Sequence, residues 1–145
     1  MKQPIFDATT DTPEQTMGWG VELAKRLAPG DVVCLEGDLG SGKTHFTKGL
    51  ASYFGVKPEH VSSPTYALVQ EYAGDTITIF HIDAYRLSST EEALAIGLDE
   101  ILDGDGICVV EWPERISELL PEQVWTVRLE HRGDNLRHLV AFRVS

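Results

Sequence analysis

The chain has 145 residues, 42% of them hydrophobic and 24% charged, which suits one soluble domain with a real core and argues against disorder. No apolar run approaches the ~20 residues needed to span a bilayer. The start, MKQPIFDATTDTPEQ, has neither an apolar h-region nor a small-residue cleavage site, so neither secretion nor membrane insertion is expected. The net charge of −11 makes direct binding of DNA or RNA unfavourable, because phosphate contacts need Lys and Arg. That charge is uneven. From Val124 onward four Arg face two acidic residues, whereas Ser89–Gln123 holds ten acidic residues and one Arg. Such a run is a solvated surface or a face that meets a basic protein. Two cysteines, Cys34 and Cys108, each inside an apolar run, form no disulfide framework or metal cage and fit a reducing cytoplasm.

Thr12 to Leu27 is expected to be a helix. Thr12 is the N-cap, Pro13 suits the first helical position, and Gln15 completes a capping box. Met17, Val21, Ala24 and Ala28 fall on one face at helical spacing, and Pro29-Gly30 stops the helix. Asp31 to Gly37 is a short apolar strand, followed by a glycine-rich turn. Lys43 to Phe54 is a second helix, closed by Gly55. The opening thus reads helix, strand, Gly-rich loop, helix.

Lys57 to Pro64 is expected to be a loop. Tyr66–Tyr72 and Thr76–Asp83 are strands joined at Gly74-Asp75, which is hairpin spacing. Ser89, with Glu92 three positions on, caps a helix to about Leu102, and Gly104-Asp105-Gly106 breaks it. Ile107 to Trp112 is a buried strand ended by Pro113, and Glu114 to Leu120 a short helix. Val124–Glu130 and Leu136–Val144 alternate as strands about the turn Gly133-Asp134-Asn135. No repeat, low-complexity tract or linker interrupts the chain, so residues 1–145 are expected to form a single α/β domain.

Gly37 to Thr44, GDLGSGKT, matches the phosphate-loop pattern G-x-x-x-x-G-K-[ST], with the required strand before it and helix after it. Glycines at 37, 40 and 42 permit backbone angles and close approach that a Cβ would block. Successive N–H groups then cradle phosphates, helped by the positive end of the following helix. Lys43 neutralises β/γ-phosphate charge, and the Thr44 hydroxyl is a Mg²⁺ ligand. The nucleotide-contact candidates are therefore Gly37, Asp38, Leu39, Gly40, Ser41, Gly42, Lys43, Thr44 and His45. No GxGxxG run points to a dinucleotide, and no guanine signature N/T-K-x-D is present, which favours adenine.

Ligands of open α/β sheets sit beyond the carboxyl ends of strands. Two apolar runs end in an acid there, Asp83 after TITIFHI and Glu111 after ICVV. One is placed to hold Mg²⁺, directly or through water, and the other to orient or activate the attacking water. The plainer alternative is a strand-end capping hydrogen bond for each. His81 lies on the same strand face as Asp83 and is either a satisfied core histidine or a catalytic one. Trp112 is by default core, with an adenine-side or partner contact as alternatives. Thr65 in the loop Ser62-Ser63-Pro64-Thr65 is the candidate to reach a γ-phosphate, as polar loops of nucleotide switches do. The alternative is an ordinary Pro turn.

The set GDLGSGKT, SSPTY (62–66), HIDAYRL (81–87) and VEWPER (110–115), in this order, resembles the TsaE family, the small ATPases of bacterial tRNA threonylcarbamoyladenosine biosynthesis. The resemblance runs from the Thr12 helix through Leu120, and the last hairpin matches only in general character. It implies a P-loop fold with a central parallel sheet flanked by antiparallel strands, and Mg-dependent ATP hydrolysis. It also implies Mg²⁺ ligands at Thr44 and Glu111, positions needed for activity at Asp83 and Trp112, and a switch-like loop at Ser63, Pro64 and Thr65. By the same resemblance the protein binds TsaB and TsaD and uses ATP turnover to reset that complex, the partners holding the tRNA. Two positions depart from the family. His45 follows Thr44 where a second Thr is usual, keeping a backbone N–H for the α-phosphate but no hydroxyl. Ala84 replaces a Leu, a packing change. The alternatives from other classes are a small-molecule kinase, with Arg86 and Arg115 as the nearest arginines, and a nucleotide-gated binding module.

Overall fold

The computed structural model describes residues 4–38, 40–62 and 68–144. One seven-stranded sheet runs through it. Its strands are β1 (Phe6–Thr10), β2 (Val32–Glu36), β3 (Val69–Ala73), β4 (Thr78–Asp83), β5 (Ile107–Glu111), β6 (Val124–His131) and β7 (Arg137–Val144), in the order β1-β7-β6-β2-β5-β4-β3. The centre, β6-β2-β5-β4, is parallel. β7 and β1 on one side and β3 on the other pair antiparallel. This is the α/β architecture expected from the sequence.

Helices cover both faces, which explains why β2 and β5 are apolar almost throughout. Val33, Leu35, Ile107, Val109 and Val127 face α1 (Pro13–Ala24) and α2 (Lys43–Tyr53), where Leu23, Phe46 and Leu50 complete the core. Val32, Cys34, Cys108 and Val110 face the other way, toward α3 (Thr90–Ala95), α4 (Leu98–Leu102) and a 3-10 segment, Pro113–Leu119. Both cysteines pack as small buried hydrophobes. Burial pushes each thiol up to about 12.

Several boundaries differ from the sequence reading. β1 was not anticipated. Its run FDATT is short and weakly apolar, and its hydrogen bonds come from β7, at the far end of the chain. The α1 cap is as expected: Thr12 accepts from the Gln15 N–H at 3.1 Å, and Gln15 reaches back to the Asp11 N–H at 2.8 Å. However, α1 ends at Ala24, and Arg26 and Leu27 close it with tighter bonds to the carbonyls three residues back. Its buried residues are Thr16, Gly20, Leu23 and Ala24, so of the expected stripe Met17, Val21, Ala24 and Ala28 only Ala24 is buried, and α2 comes so close that Gly20 lies in the seam.

The expected Ser89–Leu102 helix is two helices, broken at Gly97 with φ of 80°. A left-handed residue cannot sit inside an α-helix, and glycine adopts it at no steric cost. The segment after Pro113 is 3-10 rather than α, with Ile116 off helical angles. Lys57–Pro64 contains a 3-10 turn at Pro58–His60. The hairpins at Gly74-Asp75 and Gly133-Asp134-Asn135 join the strands expected; β3 is described from Val69 and β4 from Thr78, and Tyr66 and Ala67 of the first expected strand lie outside the described residues. Among the described residues no helix is long and apolar enough to cross a membrane.

Candidate functional site

β2 ends at Glu36, and the chain turns through the glycine-rich loop into α2. Gly42 caps α2 at φ of 103° and offers no side-chain acceptor, so the first N–H groups of the helix keep their donors for something else. The loop is tight. A Cβ on Gly37 would stand 2.5 Å from the Leu129 carbonyl oxygen and 2.6 Å from Ser41 Oγ. Ser41 Oγ is buried and has no hydrogen-bond partner among the described residues. An orphaned hydroxyl beside helix amides that no side chain caps is what an anion-binding loop provides.

The strand-end acids meet this loop. Asp83 and Glu111 are register partners on the parallel strands β4 and β5. Glu111 is 5% exposed, with Oε1 3.5 Å from Lys43 Nζ and Oε2 2.6 Å from His81 Nε2. Burial alone would raise its carboxyl. The His81 hydrogen bond and charge, together with Lys43, outweigh burial and hold it below the ordinary carboxylate value. Asp83 is half-buried, and its Oδ1 accepts from the Tyr85 N–H at 3.0 Å.

These groups open on a cleft of about 730 Å³ lined by Gly40, Gly42, Lys43, Thr44, His45, Asp83, Tyr85, Arg86, Glu111, Trp112 and Arg137. Trp112 is a cleft wall as well as a core residue. It packs against the second core cluster, and Lys43 Nζ lies 5.1 Å from its ring centroid. Its φ of 59° is left-handed, an outlier for a bulky residue, and turns the chain sharply at the end of β5. Tyr85 stacks obliquely on it, with ring centroids 4.9 Å apart. Gly37 and Asp38 face a smaller neighbouring cavity behind Lys43 and Trp112. A second large cleft, about 760 Å³ at the β3–β4 turn, is lined by Glu71, Asp75, Glu100 and Asp105 with no Lys or Arg, the wrong charge for a polyanion.

A phosphate drawn to Lys43 would sit beside the Glu111 carboxylate. Two anions that close call for a divalent cation between them, and the Thr44 hydroxyl and Glu111 carboxylate are hard oxygen donors suited to Mg²⁺. The site thus has the donors and charge for a polyphosphate with its cation.

Comparison with known proteins bears on the rest. The family described as "Threonylcarbamoyl adenosine biosynthesis protein TsaE" matches residues 10–139. The chain belongs to the TsaE family. Among its relatives, the "tRNA threonylcarbamoyladenosine biosynthesis protein TsaE" of Bacillus subtilis is 41% identical over 90% of this chain and 80% of its own length. The protein of the same name from Treponema pallidum is 41% identical over 87% of this chain and 92% of its own. The crystal structure of YdiB from Bacillus subtilis superposes with a TM-score of 0.80 at 33% identity, covering 100% of this chain and 88% of that one.

In this member of the TsaE family, the cleft brings together most of the residues singled out from sequence: Gly40, Gly42, Lys43, Thr44, His45, Asp83, Glu111 and Trp112. Ser41, within the loop, is buried and does not line the cleft. Leu39 and the Ser63-Pro64-Thr65 run lie outside the described residues. Ala84 is fully buried, consistent with a packing change. Sequence reasoning left His81 open between core and catalysis. It is both fully buried and hydrogen-bonded to Glu111. Tyr85 and Arg137 were missed. Tyr85 sits within the HIDAYRL run, where its place beside a strand-end acid was a usable signal. Arg137 opens β7, far from the loop in sequence, and only the folded sheet brings it in.

Proposed function

We propose that this protein is a Mg²⁺-dependent ATPase that serves tRNA threonylcarbamoyladenosine synthesis by hydrolysing ATP while bound to a TsaB–TsaD pair, resetting that complex between cycles. The observation that carries this most is the meeting of Lys43, Glu111 and Asp83 at a helix N-terminus whose amides have no side-chain acceptor. The names of the relatives supply the pathway. The net charge of −11 suits a protein that leaves tRNA to its partners.

In this mechanism the amides of the 37–45 loop and Lys43 bind the β- and γ-phosphates, with the His45 N–H toward the α-phosphate. Thr44 and Glu111 hold Mg²⁺. Once bound, the cation neutralises charge on the phosphoryl oxygens. Asp83 has Oδ1 fixed by the Tyr85 amide and orients the attacking water through its other oxygen. Trp112 and Tyr85 wall the cleft and limit access of bulk water.

The test is phosphate release by the purified protein, alone and with TsaB–TsaD. The expected result is release that requires ATP and Mg²⁺ and rises with the partners. Absence of both nucleotide binding and phosphate release would overturn the proposal, and a phosphorylated small acceptor would indicate a kinase instead.

A further inference from the structure

A chain of hydrogen-bonding groups runs from Glu111 into the protein, away from the cleft. His81 is 0% exposed on β4, and its Nε2 lies 2.6 Å from Glu111 Oε2, at the short end even for a charge-assisted bond. On the other side of the ring, Nδ1 lies 3.3 Å from the Tyr72 hydroxyl. That hydroxyl also reaches the Ser62 carbonyl at 3.3 Å and Gln70 Oε1. Strand register builds the chain. Gln70 on β3 stands opposite His81, and His81 stands beside Val109 on β5, two residues before Glu111.

Binding a phosphate requires none of His81, Tyr72 or Gln70. Their chemistry suits another task. A buried imidazole can face a carboxylate only through an N–H, since a bare ring nitrogen at that distance would oppose two lone pairs. The Tyr72 hydroxyl has one proton: it either accepts from an Nδ1–H while donating to Gln70 or Ser62, or gives that proton to a bare Nδ1 in their place. The ring is thus held at both ends, and Oε2 is pinned while Oε1 faces Lys43 and the cleft.

We propose that His81 and Tyr72 are positioning residues for Glu111: the Nε2–H of His81 fixes the carboxylate, and Tyr72 fixes the ring. Its consequence for turnover rests on the ATPase activity proposed above, but the hydrogen bond belongs to the protein without nucleotide and is read there first.

In nucleotide-free protein, proton NMR should show one downfield imidazole N–H protected from solvent exchange. It should vanish in His81→Leu, lose its downfield position in Glu111→Gln, and move in Tyr72→Phe. In steady state His81→Leu should lower kcat about 10- to 100-fold with little change in KM for ATP, as loss of an outer-shell partner does. His81→Gln, whose amide N–H replaces the donor, should recover part of that loss. Tyr72→Phe, which keeps the packing, should show a smaller loss in the same direction. In a Glu111→Gln background His81→Leu should add nothing, because the two act as a unit. Absence of the protected resonance in wild type overturns the proposal. So do wild-type kcat values in both His81→Leu and Tyr72→Phe, or an undiminished His81→Leu effect in the Glu111→Gln background. Should wild type release no phosphate at all, the ATPase proposal fails by itself and the resonance alone decides the positioning role.

Discussion

Gly49 of α2 lies so close to Met17 of α1 that a Cβ on it would stand 1.9 Å from the Met17 carbonyl oxygen. Gly20 on the facing helix is as tight, its Cβ position 2.2 Å from the Phe46 carbonyl oxygen. Backbone-to-backbone contact of this kind locks α2, and therefore the loop at its N-terminus, against α1. Gly49→Ala should destabilise the protein by about 1–3 kcal/mol or more, since neither backbone can move without disturbing the core. Gly18→Ala is the contrast. It lies in α1, the helix of Gly20, with nothing within 4 Å of its Cβ position, and should gain about 0.5–1 kcal/mol from the better helix former. Urea unfolding of the two variants beside wild type reads both signs.

Acid should act through Glu111. Its carboxyl in the folded protein lies below the ordinary value of 4.5, which it recovers on unfolding. Above 4.5 the carboxylate therefore contributes its full share of stability. As pH falls below 4.5 and through the lower folded value, the unfolded chain takes up the proton first and that share is lost. Glu111→Gln should be less stable than wild type at pH 7, and the gap should narrow as the pH drops through that window. Unfolding midpoints across the acid range measure it. A constant gap would mean that the carboxylate charge does not stabilise the fold.

Lys43→Ala should weaken ATP binding at least tenfold, about 1.4 kcal/mol, by removing the charge nearest the loop amides. Titration calorimetry on the folded variant gives the number, and wild-type affinity would contradict the assigned site.

Asp83→Asn should leave ATP binding near wild type yet slow turnover at least tenfold, about 1.4 kcal/mol of barrier. A wild-type rate would remove Asp83 from the mechanism.

The two thiols should be inert in the native protein. Burial pushes Cys34 and Cys108 each up to about 12, so little thiolate exists at pH 8 and neither sulfur is accessible. An aromatic disulfide reagent should label none of them natively and two per chain in denaturant. Fast native labelling would show that the sheet opens.

Local chemistry made much of this legible in the chain. The capping pair Thr12 and Gln15, the glycine turn before Lys43, and the acids closing β4 and β5 are signals carried within a few residues, and each element formed where they place it. Family motifs within GDLGSGKT and VEWPER pointed to the same cleft. β1 lacked such a signal. Its five residues alternate weakly, and the hydrogen bonds that make them a strand come from β7.

By itself the sequence determined the P-loop, the α/β class and the two acids. Each depends on backbone angles, apolar periodicity or a strand end, which are properties of short stretches. Tertiary structure decided what those acids touch. That Glu111 is shared between Lys43 and His81, that Tyr72 stands behind the ring, and that Arg137 reaches the cleft all follow from the order in which strands lie side by side. Sheet order is set by burying both faces at once, a condition on the whole chain that no window of residues contains.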